Sequence, residues 1–138
     1  NMEVMKEYQA KIDQDALVNV VPYACISEQE KGSQIVDMKA FCDNGYTAFS
    51  DDGVGVQRDD VMQEAMELSS KLGIKIVAHT EDMNYRKVGA CINEGAKSQE
   101  LGVVGIPNEC EYKQLERDLK QELIIIVVTC LARKVWSF

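Results

Sequence analysis

Residues 46–57, YTAFSDDGVGVQ, constrain this chain most, because a short apolar run there ends abruptly in two carboxylates and a glycine. Alone, the stretch is only a strand that stops, since Asp and Gly are ordinary turn residues. The residues downstream give it meaning. A run with helical periodicity over 61–72 leads to a second apolar strand, IKIVA at 74–78, which ends at the single histidine, His79, with Glu81 and Asp82 just beyond. Strand, helix, strand predicts a βαβ unit, in which the right-handed crossover puts both strand C-termini on one side. Asp52 and His79 then become candidate metal ligands, because parallel α/β folds place their sites at that edge. On neighbouring strands about 4.8 Å apart, an oxygen and a nitrogen could both reach one ion at about 2.0–2.2 Å.

The rest of the sequence continues the alternation. Residues 2–14 read as a surface helix with Val4, Met5, Tyr8 and Ile12 on one face. Residues 17–26, LVNVVPYACI, read as a strand rich in β-branched residues, with Pro22 marking its exit. Ser33 is the expected N-cap of a helix carrying Ile35, Met38 and Phe41, and Asn44 and Gly45 are its stop. Asp59 or Asp60 caps the next helix and Gly73 ends it. Residues 80–108, interrupted by four glycines and Pro107, read as one long loop, which in a compact domain is often functional. A helix over 109–122 and a strand over 123–128 complete the pattern. The expected fold is therefore α/β, with about four parallel strands and flanking helices.

Composition limits what such a unit can do. With 46% hydrophobic and 28% charged residues, 138 residues are enough for one domain with a core. A net charge of −8 with scattered Lys and Arg argues against nucleic-acid or anionic-membrane partners, either of which needs a basic patch. The five cysteines form no C-x-x-C pair, so no disulfide framework or cysteine zinc site is indicated, and a reducing cytoplasm is the expected compartment. The apolar run at 123–131 is shorter than the roughly 20 residues a membrane span takes. Asn1 rather than Met opens the sequence, which reads as a piece cut from something longer.

Each candidate also has a plainer reading. A lone His after a strand is commonly a hydrogen-bonded turn residue, Asp-Asp-Gly is commonly a turn, and the acids after His79 can cap the next segment. Methionines at helical spacing are core filler. Composition and periodicity do not decide between these.

The strings VNVVPYACI, AFSDDGVGVQ, IKIVAHTED, NEGAKSQELGVVGIPNECE and ERDL, in that order and spacing, resemble bacterial dihydroorotases of the single-aspartate class, members of the amidohydrolase superfamily. The resemblance runs from about residue 17 to 119. It implies a partial (β/α)8 TIM-type barrel, with Asp52 and His79 as metal ligands and zinc as the ion of the complete parent, weakly bound or absent here. Asn93, Glu94 and Gly95 match the family's NEG stretch, with a loop-structuring role. Thr80 stands where the family usually has cysteine, a departure that leaves the histidine in place.

The implied reaction is the interconversion of dihydroorotate and N-carbamoyl-L-aspartate in pyrimidine biosynthesis, for which zinc supplies Lewis-acid and hydroxide chemistry. The family's His-x-His pair, its carboxylate-binding arginine and asparagine and its late aspartate match nothing in these residues. No catalytic or substrate-binding residue is assigned, therefore, and the chain is expected to be inactive alone. The alternative is a non-catalytic α/β association module in which Asp52 and His79 are relics.

A segment resembling YHVCHVSTK belongs next, where the chain reads IIIVVTCLARKVWSF. One permitted codon set from Gln121, read two nucleotides on, encodes RIDYHRCHMSCTKSVEL, so a frame change is the expected origin of the tail at 123–138. A barrel takes about 250 residues, so residues 1–138 form a single incomplete barrel. Val18, Val20, Phe49, Ile76 and Ile126 are expected to lose cover, which makes the chain a homo-oligomer or aggregation-prone.

Overall fold

The computed structural model describes residues 1–121 and 125–128. The elements are α1 (Met2–Asp15), α2 (Met38–Asp43), β1 (Ala48–Phe49), α3 (Asp59–Leu72), β2 (Lys75–His79), β3 (Ile92–Asn93), α4 (Ala96–Glu100), β4 (Gly105–Ile106), α5 (Glu109–Leu119) and β5 (Ile125–Val128). Among the described residues this is an α/β architecture of short parallel strands and five α-helices. β1, β2 and β5 form one sheet in that order, with every pairing parallel, while β3 and β4 pair separately.

Helix α3 is the crossover between β1 and β2, and its sequence explains both its extent and its seat. Asp59 and Asp60 lie in its first turn and Lys71 in its last, each favourable to the helix dipole. Gly73 ends it in the left-handed conformation (φ 67°), which glycine adopts without steric cost. Val61, Met62, Ala65 and Met66 fall on one face and are buried in the same core as Phe49 and Ile76. Phe41 meets Tyr46 and Phe49 edge-on, with ring centroids 5.8 and 6.0 Å apart, so α2 closes the far side of that core.

Several expectations need correction. Residues 17–26 do not form a strand: only Ala24 makes a parallel bridge, to Phe49, and Leu17, Val18, Val20, Val21 and Tyr23 are exposed. β-branched composition becomes a strand only by pairing, and β1, just two residues long, offers this segment little more than Ala24. The sheet accordingly has three strands and a bridged edge rather than four strands. Ser33 does not cap α2. Residues 26–36 double back, with Val36 N–H donating to Ile26 O and Ser27 bridging Ile35, so the helix starts later, at Asp37, whose Oδ1 accepts from Ala40 N–H. Residues 80–108 are not one loop, because β3, α4 and β4 lie within them as a small βαβ unit. Two-residue strands leave no periodicity to read. Phe49 and Ile76 keep their cover, both fully buried under α3, whereas Val18 and Val20 are exposed. The side chain of Ile126, and most of the tail at 123–138, lie outside the described residues.

Asp51, not Asp52, holds the first loop to the sheet. Its buried carboxylate accepts from Ile26 N–H (2.8 Å), Ser27 N–H (3.0 Å) and the Ser27 hydroxyl, and that hydroxyl oxygen accepts from Gly32 N–H (2.8 Å). Removing the carboxylate leaves buried donors unpaired, at about 1–3 kcal/mol each. Asp51→Ala is therefore expected to cost about 3 kcal/mol or more, read as a lowered urea midpoint, whereas Asp52→Ala, at an exposed side chain, should change it little.

A second buried carboxylate sets a pH dependence. Asp118 is fully buried on α5; Arg117 donates from both Nε and Nη2 to its Oδ1, and its Oδ2 has no partner. Burial raises this carboxyl above its ordinary value, and the adjacent guanidinium draws it only part of the way back. A carboxyl raised on folding keeps its proton to higher pH in the folded state, so stability falls as pH rises from the unfolded value of about 3.9 through the folded one. Asp118→Asn should flatten that decline and raise the urea midpoint at neutral pH. A wild-type profile flat or rising across the window, and unchanged by Asp118→Asn, would contradict the assignment.

Candidate metal-binding site

β1 and β2 pair in parallel with Phe49 opposite Ile76, so their C-terminal ends open on the same edge of the sheet. The pleat turns successive side chains to opposite faces. At the exit of β1, Asp51 points into the core and Asp52 points out, its side chain 80% exposed. At the exit of β2, His79 and Glu81 are two residues apart, and both are buried.

The two sequence candidates meet here. His79 Nδ1 lies 3.8 Å from Asp52 Oδ1, beyond hydrogen-bond range, and it has no hydrogen-bond partner although it is buried. On the other side of the ring, Nε2 lies 3.4 Å from Glu81 Oε2. Glu81 Oε1 is ion-paired with Nη1 of Arg86. A carboxylate cannot donate, so the ring nitrogen facing Glu81 is suited to carry a proton. In the neutral tautomer protonated there, Nδ1 carries a lone pair turned toward the Asp52 carboxylate.

A cation would complete this arrangement. Two ligands of one tetrahedral ion, each about 2.0–2.2 Å from it, stand roughly 3.4 Å apart, so the observed 3.8 Å closes with a small movement of the exposed Asp52 side chain. Imidazole and carboxylate suit zinc, and a ligating His whose other ring nitrogen donates to a carboxylate is a common outer-shell pattern. The pair would fill two positions of such a shell. Among the described residues, no group of three or more His, Cys, Asp or Glu is placed to hold a metal ion.

Other polar groups arrange the rim without facing Asp52. Thr80 is buried, with its hydroxyl unpartnered. Glu94 pairs with Lys87 at 2.7 Å, and Gly95 N–H donates to the Ser98 hydroxyl at the start of α4, so the Asn93-Glu94-Gly95 stretch shapes the small βαβ unit. A cavity of about 400 Å³ opens beside the site between residues 30–33, 53–58 and 81–86, with Lys31, Arg58 and Arg86 among its lining. Sequence reading named Glu81 only as an acid beyond the strand and missed Arg86. The available signal was the two-residue spacing from His79, which in extended chain puts Glu81 on the histidine's side.

Residues 1–122 match the family described as dihydro-orotase-like. Curated dihydroorotases of Staphylococcus aureus, Macrococcus caseolyticus and Fusobacterium nucleatum are 44%, 43% and 41% identical to the chain over 119 residues. That alignment takes in 86% of this chain and 28% of each relative, so the chain spans less than a third of their length. With the match covering nearly the whole described sequence, the chain belongs to the dihydroorotase-like family.

Proposed function

We propose that this chain carries part of a dihydroorotase centre, a portion of a (β/α)8 barrel contributing Asp52 and His79 as two metal ligands. The observation that carries the reading is the buried, unpartnered Nδ1 of His79 facing Asp52 across adjacent parallel strand ends. When bound, a zinc-type ion supplies polarisation of an amide carbonyl and acidification of a water. The chain's own contribution is to orient the imidazole through Glu81, which Arg86 holds in turn, and to present the Asp52 carboxylate from the turn beside it. The substrate class is the cyclic amide dihydroorotate and its open form N-carbamoyl-L-aspartate, as the relatives' name suggests, and the pathway is pyrimidine biosynthesis. Cys25, Cys42, Cys91 and Cys110 are free thiols, which supports a reducing, cytoplasmic setting.

A second reading, association without catalysis, is favoured by the exposed apolar run at Leu17, Val18, Val20 and Val21. Covering a few hundred Å² of such surface is worth several kcal/mol, at roughly 25 cal/mol per Å². Both readings expect this surface to be covered and neither expects turnover from this chain alone; they differ over whether Asp52 and His79 hold a metal.

Two outcomes are expected. With two protein ligands, zinc should remain sub-stoichiometric in equilibrium dialysis and dihydroorotate hydrolysis should be undetectable; tight one-to-one zinc with turnover abolished by His79→Ala would refute this and point to donors from a partner chain. In light scattering at tens of micromolar, the chain should exceed the monomer mass, and Val18→Asp combined with Val21→Asp should shift it toward monomer. A cooperatively folding wild-type monomer would sink the association prediction.

A further inference from the structure

The backbone that carries His79 is held by two glutamine side chains that stand in for a neighbouring strand. Gln114, buried on α5, donates from Nε2 to His79 O (3.1 Å) and accepts on Oε1 from Glu81 N–H (3.1 Å). Gln57 repeats the pattern one step on, donating to Glu81 O (2.8 Å) and accepting from Met83 N–H (2.9 Å). In a parallel sheet, one residue of a strand bonds in this way to the carbonyl before and the amide after its opposite number. Here each primary amide stands in for the N–H and C=O of one residue. β2 ends at His79 in its ladder, yet beyond it the carbonyls of His79 and Glu81 and the amides of Glu81 and Met83 are paired.

The clamp is built to fit. Gly55 (φ 58°) passes so close that a Cβ there would lie 2.5 Å from His79 O and 3.0 Å from Gln114 Nε2. Any side chain at that position would push on the carbonyl that Gln114 grips. Arg117, on the same helix as Gln114, donates from Nη2 to Val56 O (2.8 Å) and from Nη1 to Gln57 O (3.2 Å), fixing the backbone from which Gln57 reaches. Near the start of the same helix, Cys110 O accepts from Asp82 N–H (2.6 Å).

From this geometry we infer that Gln57 and Gln114 are positioning residues for His79. They hold the backbone of residues 79–83 in place, so that the imidazole stays on the rim between Asp52 and Glu81. The inference rests on the proposed function only for the task it gives His79; the clamp itself is a matter of hydrogen bonding.

Because His79 is the only histidine in the chain, its labelling by diethyl pyrocarbonate, located by peptide mass spectrometry, reports on it alone and in any oligomeric state. Gln114→Met keeps the side chain's length and volume but removes both hydrogen bonds. It should speed metal-free labelling of His79 about fivefold, the shift expected from roughly one net hydrogen bond, while amide exchange across α3 stays as in wild type. Gln57→Met should speed amide exchange of 81–84 in the same way. Unchanged labelling in Gln114→Met would overturn the inference, and so would faster exchange in α3, which would make Gln114 a general packing residue. Zinc added to wild type in a titration to large excess, as its weak binding requires, tests the ligand role separately: failure to slow His79 labelling at any concentration would count against the proposed function while leaving the clamp intact.

Discussion

Parallel strands cannot be joined by a tight turn, so the chain between β1 and β2 must leave the sheet, cross one face and return. α3 is that crossing. Its apolar face must then cover the sheet it crosses, which is why Val61, Met62, Ala65 and Met66 are buried with Phe49 and Ile76. The same connectivity puts both strand exits on one edge, and it is there that Asp52 comes to lie 3.8 Å from His79. Core and site thus follow from one pairing: a β1 set antiparallel to β2 would send Asp52 to the opposite edge.

The two adjacent aspartates show how the pleat divides labour. Asp51 turns inward, where an ion is costly to bury unless its oxygens are fully hydrogen-bonded; two backbone amides and a hydroxyl meet that need and tie residues 26–32 to the sheet. Asp52 turns outward and makes no such bonds, which leaves its carboxylate available at the rim. Neither role transfers to the other residue, because a shift of one position along the turn exchanges the faces.

The βαβ core was legible because α3 is long enough to show a 3.6-residue period, β2 is a continuous apolar run, and Gly73 marks the boundary between them. The meeting of Asp52 and His79 followed from the same pattern. Residues 17–26 misled because Val and Ile favour strands only where a partner edge exists, and this segment meets β1 at Ala24 alone. Ser33 looked like a cap, but the turn-back at 26–36, held by Val36 N–H on Ile26 O, is a tertiary contact with no local signature. Gln57 and Gln114 were invisible for the same reason. Glutamine suits a helix or a loop equally, and nothing short of the fold shows that two side chains far apart in sequence grip alternate residues of one loop.

The site's geometry also bears on its energetics. Most polar groups around His79 are paired, from the Glu81–Arg86 ion pair to the two amide clamps behind the loop. Its Nδ1 is not, and a buried polar atom without a partner costs about 1–3 kcal/mol. Local relaxation would remove that cost if the loop could turn the ring toward solvent, yet the clamps hold the backbone and Gly55 leaves no room behind it. The fold therefore maintains an unpartnered ring nitrogen beside an exposed carboxylate instead of resolving it. Under the proposed function, binding that supplied a positive charge between the two would gain the missing interaction without first having to order the imidazole, and such preorganisation would favour one position for an ion even with an incomplete set of ligands.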